Sequence, residues 1–273
     1  MGSSELRVAF ERFKARGLLR AIDVGGIPVP YAVAGAGDRT LVVLPGAVGS
    51  VESTFVFFLE LESTYRIAAV GYPAVTSMAD LVSAVAAVLD REGVSEATIL
   101  GGSYGAAVAQ SFARRFPEHV QKLILAHGSG PSPERGRRTR RFLKLLPFLP
   151  MPLLRLATAA ASSKLLPRET PERDFWKAHL TESFAGLTKK DLDARYRCIL
   201  EYEDYRFSPE DLPSTPVLII DSNDDPLVRP PDREALKALY QKARVHTFDG
   251  AGHVSSLLRR EEYFRVIRSF VES

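Results

Sequence analysis

The hydrophobic positions of this chain fall into short apolar runs that alternate with segments of helical periodicity. The runs predict strands at residues 41–44, 67–70, 97–100, 123–126, 217–220 and 245–248, and a Gly25-Gly26 turn joins two more at 19–24 and 27–33. Between the runs, apolar residues recur every three or four positions, which predicts helices. Such alternation is typical of an α/β protein whose mostly parallel eight-stranded sheet carries helices on both faces.

Helix-end signals support this pattern at several places. Ser77 and Asp80 form a capping pair ahead of a helix that Gly93 closes, and Pro117 ends the helix that follows residue 103. Further helices are predicted over residues 231–241 and at the carboxyl end of the chain, where an amphipathic segment contains Tyr263 and Phe270. Residues 4–16 are expected to form an additional amino-terminal helix.

One long segment interrupts the alternation. Residues 130–212 show no strand pattern, and the second half of this segment is helical in composition. This divides the chain into a core of 1–129 and 213–273 and an inserted helical cap of 130–212. An insertion at the carboxyl ends of parallel strands lies over the site that such a sheet presents there. The stretch 135–154 is first basic and then apolar, so it suggests a solvated face, a lid over an apolar pocket, or contact with an anionic membrane surface. Pro147, Pro150 and Pro152 prevent one continuous amphipathic helix and argue against the membrane contact.

Composition narrows the class of protein. The chain has 273 residues, a formal net charge of +3 and a single cysteine, Cys198. The small net charge argues against nucleic-acid binding, and a lone cysteine fits a reducing compartment such as the cytoplasm. The start of the chain lacks the apolar core of a signal peptide, and no apolar run reaches the roughly 20 residues of a membrane span. No Cys/His cluster suggests a metal, so we expect neither metal nor cofactor.

The candidate chemistry begins at Gly101-Gly102-Ser103-Tyr104-Gly105. This G-x-S-x-G pentapeptide follows a predicted buried strand and opens a predicted helix. Serine at such a corner is forced onto a tight turn that exposes its hydroxyl, and the helix amino terminus stabilises negative charge beside it. Glycine-rich turns with an incidental serine also occur, so the motif needs partners elsewhere in the chain.

A serine nucleophile needs a histidine base that a carboxylate orients. Of five histidines, only His253 lies in a glycine-rich loop after the last strand, at Gly250-Ala251-Gly252-His253. The acid is expected in the loop after the 217–220 strand, where Asp225 precedes Pro226 and is our choice over Asp224. Backbone amides of Tyr104 and Ala47, the latter in Pro45-Gly46-Ala47, are the expected oxyanion donors.

Taken together, these parts resemble the α/β-hydrolase superfamily over nearly the whole chain. The matching segments are 101–105, 225–228, 250–253 and Phe116-Pro117-Glu118, in the order Ser, Asp, His. Pro45-Gly46 departs from the His-Gly of many members. Together with Val56-Phe57-Phe58 and Gly71-Tyr72-Pro73 it resembles the maspardin branch, whose members need not be competent hydrolases. The resemblance implies the α/β-hydrolase fold with a helical cap.

The expected function is that of a serine hydrolase that cleaves an apolar carboxylic ester or thioester, a small molecule, through an acyl-enzyme. Two alternatives use the same residues differently. The chain could be a ligand-binding or interaction protein on a hydrolase fold, or the same triad could hydrolyse a C–C bond or transfer an acyl group. The sequence does not decide the oligomeric state.

Overall fold

The computed structural model describes residues 3–166, 170, 172–208, 211 and 214–273. Within them the chain forms an eight-stranded sheet in the order β1-β2-β4-β3-β5-β6-β7-β8. Its strands are Leu19–Val24 (β1), Ile27–Ala34 (β2), Thr40–Leu44 (β3), Arg66–Val70 (β4), Ala97–Gly102 (β5), Val120–Ala126 (β6), Val217–Ser222 (β7) and Arg244–Phe248 (β8). β2 runs antiparallel to β1 and β4, and every pair from β4 across to β8 is parallel. The mostly parallel eight-stranded sheet is confirmed.

Helices cover both faces of this sheet. They span Ser3–Ala15 (α1), Phe55–Leu61 (α2), Met78–Arg91 (α3), Tyr104–Arg115 (α4), Pro133–Leu145 (α5), Met151–Leu165 (α6), Arg173–Ala185 (α7), Lys189–Asp204 (α8), Pro230–Leu239 (α9), Ser255–Leu258 (α10) and Arg260–Glu272 (α11). α3 begins at the predicted cap, where the Ser77 hydroxyl accepts hydrogen bonds from the amides of Ala79 and Asp80.

The central strands are apolar on both faces because both faces are covered. In β3, Val42 and Leu44 belong to one buried cluster, whereas Leu41 belongs to the other. The first cluster includes residues of α3 and α4, and the second includes residues of α1, α2 and α11. The sheet is therefore packed between two layers of helices, and this packing fixes where the carboxyl ends of its strands lie.

The amino-terminal helix α1 is part of the second layer. Phe10 packs at ring-centroid distances of 4.9 Å from Phe55 in α2, 6.0 Å from Phe175 and 4.8 Å from His179 in α7. Edge-on aromatic pairs of this kind add stability beyond their buried area. α1 thus ties the inserted helices to the core.

The helices α5 to α8 lie between β6 and β7, inside the segment 130–212. One buried and one partly buried arginine join them to the core. Arg195 of α8 donates to the carbonyl oxygens of Tyr72 at 2.8 Å and Pro73 at 3.1 Å. Arg135 of α5 pairs with Glu203 of α8 at 2.8 Å and with Asp232 of α9. Buried guanidinium groups require such partners, so these contacts fix the position of the inserted helices.

Candidate active site

Ser103 occupies the corner between β5 and α4. Its backbone has φ 54° and ψ −117°, a conformation that a residue with a side chain rarely adopts. The flanking glycines make the corner possible: a Cβ at Gly101 would overlap the carbonyl oxygen of Gly105, and a Cβ at Gly105 would overlap that of Leu44 in β3. The Ser103 amide also donates to the Ala126 carbonyl at 2.8 Å. The tight turn therefore projects the hydroxyl beyond the strand ends.

His253 lies in the loop after β8 and faces this serine. Its Nε2 is 2.9 Å from Ser103 Oγ, and its Nδ1 is 2.8 Å from Oδ2 of Asp225. A carboxylate can only accept, so His253 donates from Nδ1, and in the neutral imidazole Nε2 is then the acceptor for the serine hydroxyl. The loop therefore holds the imidazole between the carboxylate of Asp225 and the hydroxyl of Ser103.

Asp225, rather than Asp224, contacts His253. Its Oδ1 accepts hydrogen bonds from the amides of Leu227 at 2.8 Å and Val228 at 2.9 Å. Asp224 points elsewhere and accepts from the Ser222 hydroxyl and the Gly252 amide. The two neighbouring aspartates thus have different roles. Asp225 contacts the imidazole, and Asp224 joins the loop after β7 to the loop after β8.

A second histidine contacts the same carboxylate, which sequence reasoning missed. His127 follows β6, and its Nδ1 is 3.0 Å from Oδ2 of Asp225. Its Nε2 is 2.7 Å from the hydroxyl of Ser255, a fully buried residue at the start of α10. No motif in the sequence marks His127, and the contact arises because β6 and β7 are parallel neighbours whose carboxyl ends place His127 beside Asp225.

Hydrogen bonding and burial set the charges of this cluster. Burial by itself raises the pKa of the Asp225 carboxyl, but hydrogen bonds from His127 and His253 outweigh it and hold that pKa well below its usual range. Burial lowers the pKa of His127, with partial compensation from the hydrogen bond to Asp225. At neutral pH the cluster therefore contains an ionised carboxylate next to a neutral His127.

The same three side chains are the group of potential metal ligands found in the described part of the chain: His127, Asp225 and His253, with ligand atoms within 4.8 Å of one another. Their nitrogen–oxygen separations of 2.8 Å and 3.0 Å are those of direct hydrogen bonds. The arrangement fits proton sharing between the groups.

A cavity of about 440 Å³ opens in front of Ser103 and His253. Its walls come from the core loop at Gly46-Ala47, from α2, and from the inserted helices α6, α7 and α8. Among the described residues that line it, none is Asp, Glu, Lys or Arg, and many are apolar or aromatic, such as Phe57, Trp176, Leu180, Phe184, Leu227 and Leu257. A second cavity of about 450 Å³ at α10 and α11 is lined by charged side chains and includes neither Ser103 nor His253.

The predicted site residues Ser103, Asp225 and His253 are therefore joined in one hydrogen-bonded chain. Ala47 lies in the cavity wall with Ser103, and Tyr104 is the first residue of α4. The amides in the first turn of a helix have no partner within that helix, so the Tyr104 amide is available for a group bound at the serine.

Comparison with known proteins decides the family. The model of the alpha/beta hydrolase family matches residues 30–266. The chain belongs to the alpha/beta hydrolase family. The family expected from the sequence is confirmed.

Relatives of this chain differ in the activities that their names give. A 2-hydroxy-6-oxononadienedioate/2-hydroxy-6-oxononatrienedioate hydrolase of Burkholderia vietnamiensis is 27% identical over 270 residues, covering 89% of this chain and 90% of that protein. The dihydrolipoyllysine-residue acetyltransferase component of an acetoin cleaving system from Cupriavidus necator is 29% identical over 117 residues. That match covers 40% of this chain, which spans only 31% of the length of that relative.

Solved hydrolases share the fold at low sequence identity. The enol-lactonase from Burkholderia xenovorans LB400 superposes with a TM-score of 0.79 at 16% identity, covering 93% of this chain and all of that one.

No helix within the described residues is long and apolar enough to cross a membrane.

Proposed function

We propose that this protein is a serine hydrolase that cleaves an uncharged, apolar carboxylic ester or thioester through an acyl-enzyme. The supporting observation is the hydrogen-bonded chain from Ser103 Oγ through His253 to Asp225, with contacts of 2.9 Å and 2.8 Å, at the wall of an apolar cavity. Such a chain is what a weak serine nucleophile requires in order to be activated.

In the proposed mechanism, Ser103 Oγ attacks the substrate carbonyl carbon while His253 Nε2 takes the hydroxyl proton. Collapse of the tetrahedral intermediate breaks the bond to the leaving alcohol or thiol, which receives that proton from His253. Water then attacks the acyl-enzyme with His253 again as base, and the acid leaves Ser103. Asp225 stays ionised and stabilises the imidazolium in both steps.

Two backbone amides are the proposed oxyanion donors. The Tyr104 amide opens α4, where the helix dipole favours negative charge, and the Ala47 amide belongs to the loop after β3. A Cβ at Gly46 would come no closer than 3.8 Å to the Gly102 carbonyl oxygen, so this loop approaches the serine corner without crowding it. Each donor is expected to act on the charge that develops at the carbonyl oxygen.

The cavity wall supports an uncharged substrate. A dioate, the substrate in the name of the Burkholderia vietnamiensis hydrolase, carries two carboxylates, and a buried carboxylate needs a cationic or hydrogen-bonding partner. The described lining residues include no Lys or Arg. The whole-length likeness to that relative makes hydrolysis of a C–C bond the second candidate. Because the wall lacks Lys and Arg among its described residues, its substrate would then be an uncharged ketone.

We further propose that residues 130–212 act as a cap that shapes the cavity. Leu165 of α6, Trp176 of α7 and Tyr196 of α8 contribute to its wall from above the serine. The core supplies the reacting groups and the inserted helices supply the surface that a substrate's acyl or alcohol part contacts.

The first experiment is covalent labelling with a fluorophosphonate probe. The folded protein is expected to be labelled, Ser103→Ala is expected to lose the label, and Ser256→Ala, which alters another serine of the same cavity, is the matched control. Absence of labelling in the folded wild-type protein would contradict the proposal. Turnover of p-nitrophenyl esters, compared with that of the p-nitrophenyl monoester of a dicarboxylic acid of equal length, then tests the preference for uncharged substrates.

A further inference from the structure

The surface formed by the end of α5 and the start of α6 exposes large apolar side chains. Phe148 is 83% exposed, Leu156 68%, Leu145 58% and Leu153 51%. Four of the ten exposed large apolar side chains among the described residues thus lie within residues 145–156. Clustering of this kind usually marks a contact surface, whereas single exposed apolar residues do not. Residues 137–156 are called the α5–α6 surface below.

Packing underneath fixes which side chains of this surface point outward. Leu146 and Leu154 are buried against Leu192 of α8, and Leu149 and Met151 pack on the same cluster. Because these residues anchor the segment from below, Phe148 and Leu156 cannot turn inward without displacing them. The exposure is a property of the folded segment, with its separate helices α5 and α6, and does not need the one continuous amphipathic helix that the prolines prevent.

The charge of the same segment has one sign. Residues 135–165 contain eight Lys or Arg and no Asp or Glu. Some of these cations are paired, as Arg138 is with Glu134 and Arg140 with Asp204. Arg137, Arg141 and Lys144 are exposed and form no ion pair within the described part of the chain. Cations beside exposed Leu and Phe side chains match an anionic lipid surface in both charge and polarity.

We propose that the α5–α6 surface binds the surface of an anionic lipid bilayer. A second copy of the chain is disfavoured as the occupant, because a symmetric contact would bring the two basic segments together. Thr158 and Leu165, farther along α6, line the cavity in front of Ser103, so a lipophilic ester could pass from the bilayer to the serine. This passage rests on the proposed function, whereas the binding itself does not.

The test is sedimentation of the full chain with vesicles of phosphatidylcholine, alone or mixed with phosphatidylglycerol. Binding is expected only to the mixed vesicles and is expected to weaken as salt rises. Phe148→Ser with Leu156→Ser should weaken binding by about tenfold. Arg137→Glu with Arg141→Glu should weaken it by at least about fivefold for each of the two cations, which is the effect of one basic residue near the bilayer surface. Leu19→Ser, at an exposed apolar residue of β1, is the matched control and should bind like wild type.

Equal binding to both vesicle types, or variants that bind like wild type, would overturn this proposal. So would a concentration-dependent dimer that Phe148→Ser dissociates, because the surface would then belong to a second copy. Turnover of a water-soluble ester should be unchanged in the Phe148 and Leu156 variant, which separates a failure of lipid binding from a failure of the proposed hydrolase activity.

An independent observation concerns His127. The Asp225 carboxylate receives a second imidazole N–H from this residue, whose other nitrogen is held by the buried Ser255 hydroxyl. With Nδ1 protonated toward the carboxylate, Nε2 is the acceptor for Ser255. We infer that His127 is a positioning residue, which holds the carboxylate plane toward His253 and takes up part of its negative charge. The inference rests on the proposed function.

Two variants of His127 separate this role from packing. Its φ of 50° is in the left-handed region, which Asn tolerates, and the Asn side-chain amide can donate where Nδ1 does. His127→Phe keeps an aromatic ring but removes the donor. We expect His127→Phe to lower kcat by about tenfold, the effect of one charged hydrogen bond, and His127→Asn to retain most of it.

The pH profile is the measurement that packing alone would not change. Without the His127 donor, Asp225 keeps more charge for His253, so the acidic limb of kcat/KM in His127→Phe should move to higher pH. Among the described residues, His253, Asp225 and Asp221 act on His127, and Asp221 pairs with Lys237 at 3.0 Å. Asp224 accepts from the Gly252 amide beside His253, and neither variant replaces any of these groups. An unmoved limb, or equal losses in both variants, would overturn the role. Detection of two downfield imidazole N–H resonances in Ser103→Ala tests the bonds without turnover.

Discussion

Two serine–histidine arms meet at Asp225 and differ in what lies at their ends. One arm runs through His253 to Ser103, in the cavity wall, and the other runs through His127 to Ser255, which is fully buried. The bond lengths are nearly equal, at 2.8 Å and 2.9 Å in the first arm and 3.0 Å and 2.7 Å in the second. Equal hydrogen bonding therefore occurs in one arm whose serine faces the cavity and in one whose serine is buried.

The difference lies in the local backbone. Ser103 stands on a strained corner that only the glycines at 101 and 105 permit, and this corner lifts the hydroxyl clear of the sheet. Ser255 begins the short helix α10 under the histidine loop. A nucleophile thus requires exposure toward a cavity in addition to a histidine and an acid, and the three following predictions test this contrast.

The largest effect is expected from removal of the charge that both arms share. Asp225→Asn should lower kcat by about 10⁴-fold, because the amide favours the wrong imidazole tautomer. Asp224→Asn is the matched control and should lose far less, with its main effect on stability through the Ser222 and Gly252 contacts. Steady-state kinetics on one ester measures both, and equal losses would contradict the assignment of Asp225.

A smaller effect is expected from the closed arm. Ser255→Ala removes the donor to His127 Nε2 and leaves a buried acceptor without its partner, which should cost about 1–3 kcal/mol of unfolding free energy. Turnover should fall only a few-fold, and fluorophosphonate labelling should persist. Loss of labelling comparable to that of Ser103→Ala would show that the two arms cannot be distinguished by access.

The smallest effect concerns stability against pH. Burial keeps His127 neutral in the folded protein, whereas the unfolded chain binds a proton below its usual pKa of about 6.5. The unfolded state then holds more protons, so the free energy of unfolding falls as pH drops through that value, by up to about 1.4 kcal/mol per pH unit.

Urea unfolding at about pH 7.5 and about pH 5.5 measures how much the free energy of unfolding falls. The fall should be smaller in His127→Asn than in wild type by up to about 1.4 kcal/mol per pH unit. Burial also lowers the pKa of His179, but this residue is present in both proteins and its contribution cancels. Identical losses in the two proteins would show that His127 takes up its proton without unfolding.

Strand prediction succeeded where the periodicity had one interpretation. The predicted apolar runs in β3 to β7 are buried throughout, and each lies within the observed strand. The helix α2 was missed because its sequence FVFFLEL is rich in aromatic and β-prone residues. Packing of Phe55 and Phe58 against α1 overrides that local preference.

The candidate site was predictable only as far as motifs reach. Ser103 and His253 stand in glycine-rich segments of characteristic spacing, so the sequence indicated them. His127 stands in no motif, and its contact depends on the adjacency of β6 and β7, which the order of elements along the chain does not state. The wall of the cavity likewise depends on how α6, α7 and α8 pack.

The serine corner also determines which positions of this enzyme an engineer could vary. Side chains at 101 and 105 would collide with backbone carbonyl oxygens, which cannot move aside, so a mutant library should keep both glycines. Gly102 lies between them, lines the cavity, and has no heavy atom within 4 Å of where a Cβ would stand. Residue 102 is therefore a position inside the motif itself where substrate selectivity could be altered while the corner that carries Ser103 is retained.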